Sequence, residues 1–280
     1  MAGAFEERAP VRGRDGVTTR QQTLTVWQDR VPLRVHVKGD GPAVMFFHGP
    51  WGLTWGAFLD ALAQRFTVYA PEHPGTTPGA PDAIYDVDSL WDLVLCYDEL
   101  LEQLRLPEVV LAGHSFGAMM ACEVAAQRPS RARRLVLIDP IGLWRDDAPV
   151  TNWMLLGPQE LPEYVFRNVE SPGAKALFSI PDDPEEGALA RTRLTWAMGS
   201  TGKFIWPIPD KGLKKRIHRI AATSTLLVWG QDDRLVPRVY AEEFARRLAQ
   251  TRTEIIKDAG HAPHLEQPDG TARVVTSFLM

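Results

Sequence analysis

The chain has 280 residues, of which 45% are hydrophobic, so it is long enough to bury a sizeable core as one large or two small domains. Its 31 Lys and Arg residues against 35 Asp and Glu residues give a formal net charge of -4. This balance offers no overall attraction for nucleic acid or for an anionic membrane, and we expect a small-molecule partner instead.

The N-terminal segment and the two cysteines bear on the compartment. Residues 1 to about 20 are too polar to repay the entropy of ordering, which predicts a flexible tail. No apolar run there has the length of a signal peptide, and no later stretch approaches a membrane span, so we expect a cytoplasmic location. Cys96 and Cys122 lie inside apolar helical patterns, which favours buried thiols over a disulfide or a metal ligand.

The first half of the chain predicts an opening hairpin and then strands that alternate with helices. Short continuous apolar runs predict strands buried on both faces of a sheet, whereas apolar residues at helical spacing predict helices. The predicted elements are a hairpin within residues 23–37, strands at 43–47 and 66–70, a helix over 87–104, a strand at 109–112, a helix over 116–127 and a strand at 135–138. Such alternation is typical of βαβ units and a parallel sheet.

The alternation stops at residue 141 and returns near residue 224. Eight prolines and four of the nine tryptophans fall between these positions, which predicts an inserted, mainly helical cap over 141–223. A basic run at 211–219 within it predicts a solvated amphipathic helix. The elements predicted beyond the cap are a strand at 226–229, a helix over 238–248, a strand at 254–256 and a helix over 269–279. The α/β core would comprise residues 21–140 and 224–280.

One motif carries a candidate nucleophile. Gly113-His114-Ser115-Phe116-Gly117 fits G-x-S-x-G and lies between an apolar strand and an Ala-rich helix. In that context the turn forces Ser115 into a strained conformation, and small residues two positions either side avoid a clash. The alternative is a Gly-Ser turn in which Ser115 only caps the helix.

A serine needs a base and an orienting acid before it can act as a nucleophile at neutral pH. His261 follows the predicted strand at 254–256 and so leaves the same carboxyl edge of the sheet as Ser115. Ligands bind at that edge in open parallel sheets, so the two residues can converge there. A surface histidine in a Gly/Pro turn is the alternative interpretation.

The acid has three candidates. Asp233 and its neighbour Asp232 follow the predicted strand at 226–229, and Asp139 follows the strand at 135–138. Asp232 could instead be exposed or cap a turn, and Asp139 could belong to an ordinary Asp-Pro turn. Either strand end could deliver a carboxylate to the histidine, so the residues alone leave the choice open.

With these motifs the sequence resembles the α/β-hydrolase superfamily, in particular its cap-bearing, epoxide-hydrolase-like and carboxylesterase-like members. The resemblance runs from about residue 31 to 279 and includes HG at 48–49, EHPG at 72–75, GHSFG at 113–117, WGQDDRLVP at 229–237 and GHAPHLEQP at 260–268. It implies an α/β-hydrolase fold, with a mostly parallel central sheet flanked by helices and an inserted cap. The family pattern G-x-x-D-x-x-V-P assigns the acid to Asp233. The serine at position 115 differs from the aspartate nucleophile of epoxide hydrolases and haloalkane dehalogenases.

The resemblance also implies an oxyanion hole made of two backbone N–H groups. One comes from Phe116, the residue after the nucleophile. The other would come from the loop after His48-Gly49, where Pro50 has no N–H, so we assign the second donor to Trp51. Neither a cofactor nor a metal is implied.

The resulting hypothesis is a serine hydrolase that cleaves a carboxylic ester of a small to medium, mostly apolar substrate through an acyl-enzyme intermediate. The apolar preference is expected from the density of tryptophans near the site, since pockets are lined mainly by apolar side chains. The tryptophans concerned are Trp51 and Trp55 on the oxyanion loop and Trp144, Trp153, Trp196 and Trp206 in the cap.

Two other functions fit the same motifs. Carbon-carbon bond hydrolysis, as in meta-cleavage product hydrolases, acts on anionic substrates and would need a cation over the pocket. The candidates for that cation are Arg167, Arg191, Arg193 and Lys203. A ligand-binding receptor that retains the triad but turns over little is the third hypothesis.

Overall fold

The structure is a computed structural model that describes residues 19–280. The predicted N-terminal tail lies outside the described residues up to residue 18. The first strand begins at Arg20, three residues before the start predicted for the hairpin.

The described chain contains one mostly parallel sheet. Its strands are β1 (Arg20–Val26), β2 (Val31–Lys38), β3 (Ala43–Phe47), β4 (Thr67–Pro71), β5 (Val109–His114), β6 (Ala132–Ile138), β7 (Thr225–Gly230) and β8 (Thr251–Ile256). They lie in the order β1-β2-β4-β3-β5-β6-β7-β8. β2 pairs antiparallel with both β1 and β4, whereas the remaining pairs are parallel. The predicted hairpin and parallel sheet are therefore confirmed.

Ten α-helices are described. They are α1 (Ala57–Ala63), α2 (Leu90–Gln103), α3 (Phe116–Gln127), α4 (Glu160–Val165), α5 (Pro172–Phe178), α6 (Pro184–Ile205), α7 (Leu213–Arg216), α8 (Val239–Arg247), α9 (Pro263–Glu266) and α10 (Pro268–Leu279). Cys96 in α2 and Cys122 in α3 are buried free thiols, as predicted. None of the described helices is long and apolar enough to cross a membrane.

A hydrophobic core covers each face of the sheet because successive side chains of a strand point to opposite faces. In β3, Met45 and Phe47 pack in a cluster that includes residues of α2 and α3. Val44 and Phe46 pack in a second cluster with residues of α1 and α10. The central strands are therefore buried on both faces, and only their ends are available for a site.

The segment between β6 and β7 has helices α4 to α7 and no strand among its described residues. The basic run at its end does not form the single helix that the sequence predicts. Gly212, with φ of +94°, delays the helix start to Leu213, and a 3₁₀ turn at Ile217–Ile220 follows α7. Leu213, Ile217 and Ile220 are all buried, in keeping with an amphipathic segment. The division of the chain into a core and a cap remains a prediction.

Candidate active site

Ser115 occupies a tight turn between a central strand and a helix. β5 ends at His114 and α3 begins at Phe116. The φ of Ser115 is +54°, in the left-handed region that residues other than glycine rarely adopt. Its N–H donates to the carbonyl of Ile138 in β6 at 2.9 Å. The strained conformation expected at this position is therefore present and is held against the sheet.

Two glycines make this turn sterically feasible. A Cβ added to Gly117 would lie 2.1 Å from the carbonyl oxygen of Phe47, and one added to Gly113 would lie 2.4 Å from the backbone of Gly117. Both separations are far shorter than van der Waals contact. Any side chain at position 113 or 117 would therefore clash with the backbone, as the sequence predicts.

Ser115, His261 and Asp233 form a continuous hydrogen-bonded chain at the carboxyl edge of the sheet. The Ser115 Oγ lies 2.8 Å from His261 Nε2, and Asp233 Oδ2 lies 2.8 Å from His261 Nδ1. A carboxylate only accepts hydrogen bonds, so Nδ1 donates to Asp233 and Nε2 accepts from the Ser115 hydroxyl. Ser115 is fully buried, and the side chains of His261 and Asp233 are each 1% exposed. The structure thus brings together the three residues that the sequence assigned to one site.

Of the two neighbouring aspartates after β7, Asp233 is the one that contacts the imidazole. Its Oδ1 accepts from the backbone N–H groups of Leu235 at 2.8 Å and Val236 at 2.9 Å, which fixes the carboxylate. The carboxylate of Asp232 instead lies 3.3 Å from Nε of Arg167. Asp232 is therefore part of a surface ion pair.

The third candidate acid, Asp139, lies beside Asp233 without bonding to the imidazole. It directly follows β6 and is fully buried. Its Oδ1 accepts from the N–H of Gly230 at 2.9 Å. Burial, reinforced by the charge of Asp233, raises the pKa of the Asp139 carboxyl well above its usual range. The site therefore contains two buried carboxyl groups with different surroundings.

The loop after β3 is fixed by two histidine rings. His48 Nδ1 donates to the carbonyl of Gly49 at 2.7 Å, and His48 Nε2 accepts from the N–H of His73 at 3.0 Å. His73 Nε2 donates to the carbonyl of His48 at 2.8 Å, and its Nδ1 is left to accept from the hydroxyl of Tyr97. These bonds hold the start of the loop from which the second oxyanion donor is predicted.

Trp51 and Phe116, the predicted oxyanion residues, both lie beside the hydrogen-bonded chain. Trp51 is 6% exposed, and its ring packs edge-on against the ring of His261 with centroids 5.9 Å apart. Phe116 is buried and is the first residue of α3, so its N–H has no partner within the helix. The use of these two N–H groups by a substrate remains a prediction.

Four further histidines are buried around this loop: His48, His73, His114 and His264. Burial lowers the pKa of all four, because an imidazolium loses its hydration there. The pKa falls to about 4 for His73 and to about 3 for His264, and it lies well below the usual range for His48 and His114. All four rings are therefore neutral at pH 7.

Two small cavities lie on either side of a pair of tryptophans. The first is lined mainly by Phe46, His48, Trp51, Thr54, His114 and His264. The second is lined mainly by Trp144, Val150, Trp153, Met154, Ile205 and Pro207. The rings of Trp51 and Trp153 meet edge to face with centroids 6.3 Å apart, so this pair lies between the two cavities.

Two residues that hold the His261 loop were not assigned a role from the sequence. His114 Nε2 donates to the carbonyl of His261 at 2.7 Å. The carboxylate of Glu266 accepts from the N–H of Gly260 at 2.8 Å and from that of Asn168 at 2.6 Å. His114 and Glu266 both lie within motifs already recognised in the sequence. Their contacts join distant segments, and no sequence spacing reveals them.

Known proteins are similar to this chain in sequence and in architecture. Residues 44–274 match the model of the alpha/beta hydrolase family. The sn-1-specific diacylglycerol lipase ABHD11 of Mus musculus is 30% identical over 257 residues, which cover 85% of this chain and 81% of that protein. The 2-hydroxy-6-oxo-2,4-heptadienoate hydrolase of Pseudomonas putida is 26% identical over 278 residues, which cover 89% of this chain and 93% of that protein. The crystal structure of a membrane phospholipase A superposes with a TM-score of 0.76 at 22% identity, covering 93% of this chain and 86% of that one. The fold predicted from the sequence is confirmed.

Proposed function

Because the chain belongs to the alpha/beta hydrolase family, we propose that it is a serine hydrolase that cleaves carboxylic esters with Ser115 as its nucleophile. One observation carries the proposal: two hydrogen bonds of 2.8 Å join the Ser115 hydroxyl, the His261 ring and the Asp233 carboxylate. Such a chain supplies a nucleophile, a general base and an orienting acid in the order that acyl transfer requires.

The first half of the reaction forms an acyl-enzyme. Ser115 Oγ attacks the ester carbonyl carbon while its proton passes to His261 Nε2. Asp233 keeps the other ring proton on Nδ1 and stabilises the imidazolium that forms. The imidazolium then protonates the leaving alcohol as the ester C–O bond breaks, and the acyl group remains on Ser115.

The second half repeats the chemistry with water. His261 takes a proton from a water molecule as the water attacks the acyl carbon. The imidazolium then returns that proton to Ser115 Oγ as the bond between Ser115 and the acyl carbon breaks and the acid leaves. Each tetrahedral intermediate carries an oxyanion, for which the N–H groups of Phe116 and Trp51 are our assigned donors. The position of Phe116 at the start of α3 adds the partial positive charge of a helix N-terminus.

The tryptophans support a mostly apolar substrate. Trp51 and Trp153 are buried, and their indole nitrogens have no hydrogen-bond partner among the described residues. The indole N–H groups of Trp55, Trp144 and Trp196 donate to protein oxygens, and Trp206 is 53% exposed. The rings of Trp51 and Trp153 lie beside the second cavity, whose lining is largely apolar, so we expect the apolar part of the substrate to pack against this pair.

Carbon-carbon bond hydrolysis is the second candidate because a 2-hydroxy-6-oxo-2,4-heptadienoate hydrolase is among the relatives. Its anionic substrates were expected to meet a cation in the segment over the site. Arg167 is instead paired with Asp232, and Lys203 donates to a backbone carbonyl. Arg191 and Arg193 are exposed on α6. These surroundings favour the ester over the anionic diketone.

Hydrolysis of 4-nitrophenyl acetate, butyrate and octanoate by the purified protein tests the proposal. Ser115→Ala, His261→Ala and Asp233→Asn should each lower kcat/KM by about three orders of magnitude or more, since each removes a member of one catalytic unit. Asp232→Asn is the matched control and should stay close to wild type, because its carboxylate faces Arg167.

The outcomes separate the three hypotheses. A folded wild-type protein without esterase activity would refute the ester proposal. Turnover of a vinylogous diketone acid would then favour carbon-carbon hydrolysis, and tight binding with slow turnover would favour the receptor. Full activity of Ser115→Ala would exclude this site altogether.

A further inference from the structure

Asp139 is a buried carboxyl group that takes no part in the proposed mechanism. It follows β6 as Ser115 follows β5, and its φ of +43° is also in the left-handed region. Its N–H donates to the carbonyl of Val228 at 2.9 Å, which fixes the backbone. Its Oδ1 accepts from Gly230, but its buried Oδ2 has no partner atom assigned among the described residues. One side of this carboxyl group is therefore unaccounted for.

The group that this free side can meet is Asp233. One oxygen of Asp139, one of Asp233 and a ring nitrogen of His261 all lie within 4.8 Å of one another. Asp233 already accepts three hydrogen bonds, from Leu235 and Val236 at Oδ1 and from His261 at Oδ2. A carboxylate offers about four acceptor sites, so one remains.

Two adjacent buried carboxyl groups cannot both carry a charge at moderate cost, and such pairs share a proton. The negative charge belongs on the member with more donors, which is Asp233 with three against one for Asp139. Desolvation first, and then the charge of Asp233, raise the pKa of Asp139. The surroundings of the two carboxyl groups therefore favour a neutral Asp139 beside a charged Asp233.

We propose that Asp139 is a protonated positioning residue whose O–H donates to the Asp233 carboxylate and keeps it aimed at His261. This role rests on the proposed function, because Asp233 is worth aiming only if His261 acts as a base. Asp139 does not exchange its proton during the reaction. Its O–H is a neutral donor that adds to the backbone N–H groups of Leu235 and Val236 in holding the Asp233 carboxylate. No second charge is then placed beside the imidazole.

Infrared difference spectroscopy of the resting protein at pH 7 tests the protonation directly. The spectrum of wild type minus Asp139→Asn should show one C=O band of a protonated carboxylic acid, with no matching loss of a carboxylate band. Asp232→Asn is the control, and its difference spectrum should show a lost carboxylate band instead. In Asp233→Asn the protonated band should remain but move in frequency, because its acceptor becomes a neutral amide.

Kinetics of two substitutions at the same position separate positioning from packing. Asn keeps a neutral N–H donor and tolerates a positive φ, so Asp139→Asn should retain kcat/KM within about threefold. Asp139→Ala removes the donor and should lower kcat/KM about 10- to 100-fold, mainly in kcat, as expected for one lost hydrogen bond to a charged group. Circular dichroism and thermal unfolding check that both variants are folded.

Either of two results would overturn the proposal: loss of a carboxylate band in Asp139→Asn, or equal damage in folded Asp139→Asn and Asp139→Ala. The spectroscopic test needs no substrate. A protein without esterase activity would therefore refute the proposed function and still leave the protonation of Asp139 to be decided.

Discussion

Ser115 and Asp139 share an unusual backbone conformation, with φ of +54° and +43°. Each directly follows a central parallel strand, at the edge of the sheet where His261 arrives. Non-glycine residues in this region cost about 1–3 kcal/mol each and persist only where their surroundings over-determine them. At Ser115 the surroundings include the close approach of Gly117 to β3, which makes that glycine the most sensitive point of the turn.

Gly117→Ala should damage both the fold and the site. The new Cβ would lie 2.1 Å from the carbonyl oxygen of Phe47 and must push α3 away from β3. We expect a loss of at least about 2 kcal/mol in the free energy of unfolding, as for overpacked core positions. Because Ser115 moves with α3, kcat/KM should fall about 100-fold or more. Urea unfolding and ester hydrolysis measure the two effects.

Gly199 is the matched control for that substitution. It lies inside α6, and a Cβ added there meets no atom within 4 Å. Gly199→Ala should therefore raise the free energy of unfolding by up to about 1 kcal/mol, because alanine is the better helix former. If Gly117→Ala were as harmless as Gly199→Ala, steric control of the turn would be wrong.

Among the contacts between elements, an ion pair joins the segment between β6 and β7 to α3, the helix that follows Ser115. The guanidinium of Arg216 in α7 makes two hydrogen bonds, of 2.6 and 2.7 Å, to the carboxylate of Glu123 in α3. Glu123 is 1% exposed. If Arg216 is removed, the Glu123 carboxylate stays buried and keeps its desolvation cost without a compensating partner. Loss of this pair should therefore cost more stability than loss of an ion pair on the surface.

Arg216→Ala should lower the free energy of unfolding by about 3 kcal/mol, because it leaves Glu123 buried and unpaired. The double variant Glu123→Met with Arg216→Met should recover most of that loss, since apolar replacements of buried pairs are often neutral. Urea unfolding gives both values. Lys215→Ala, at an exposed neighbouring position, is the control. An Arg216→Ala variant as stable as Lys215→Ala would show that the pair does not hold the segment.

Elements with strong apolar patterns were predictable from the sequence, and those without them were not. β3 and α3 have the predicted limits, because β3 is one short continuous apolar run and α3 is apolar along almost its whole length and ends shortly before Pro129. β8 begins three residues earlier than predicted, at Thr251, because it lies at the edge of the sheet and its first residues are polar and largely exposed. The helix predicted for the basic run begins only at Leu213, because Gly212 adopts a left-handed φ that the composition did not reveal.

The ends of the strands predicted where the site lies, but the sequence did not predict the direction in which each side chain points. Ser115 and His261 could be predicted because each follows a strand at the same edge of the sheet. The ends of β6 and β7 each offered an aspartate, and only the resemblance of the motif around Asp233 favoured one of them. Which carboxyl group faces the imidazole depends on backbone hydrogen bonds such as that from Gly230 to Asp139, which no sequence pattern encodes.

At the scale of the whole molecule, the buried neutral histidines should set the response to acid. The pKa values of His48, His73, His114 and His264 are lower in the folded protein than the value of about 6.5 in the unfolded chain. Below pH 6.5 the unfolded chain therefore binds up to four more protons than the folded protein. The free energy of unfolding consequently decreases as the pH is lowered. Asp139 acts in the opposite direction, because its raised pKa keeps one proton on the folded state.

We expect a net uptake of about three protons on unfolding between pH 6 and 5, or about 4 kcal/mol of stability per pH unit. Domains have only about 5–15 kcal/mol in total, so a loss of this size per pH unit should remove a large share of the stability. Urea unfolding at a series of pH values measures the slope. His264→Phe, which packs among the rings of Phe46 and Phe58, should reduce the slope by one proton. The exposed His218→Gln should not change it. A slope below one proton would contradict the neutral buried histidines.

Covalent labelling by a fluorophosphonate tests most directly whether Ser115 is the nucleophile. Ser115 Oγ should displace fluoride and form one phosphonyl ester per chain, identified by mass spectrometry of the peptide that contains GHSFG. His261→Ala should label far more slowly, since the hydroxyl then has no base. We expect an adduct on Ser115 alone. A folded wild-type protein that forms no adduct, or forms it on another residue, would contradict it.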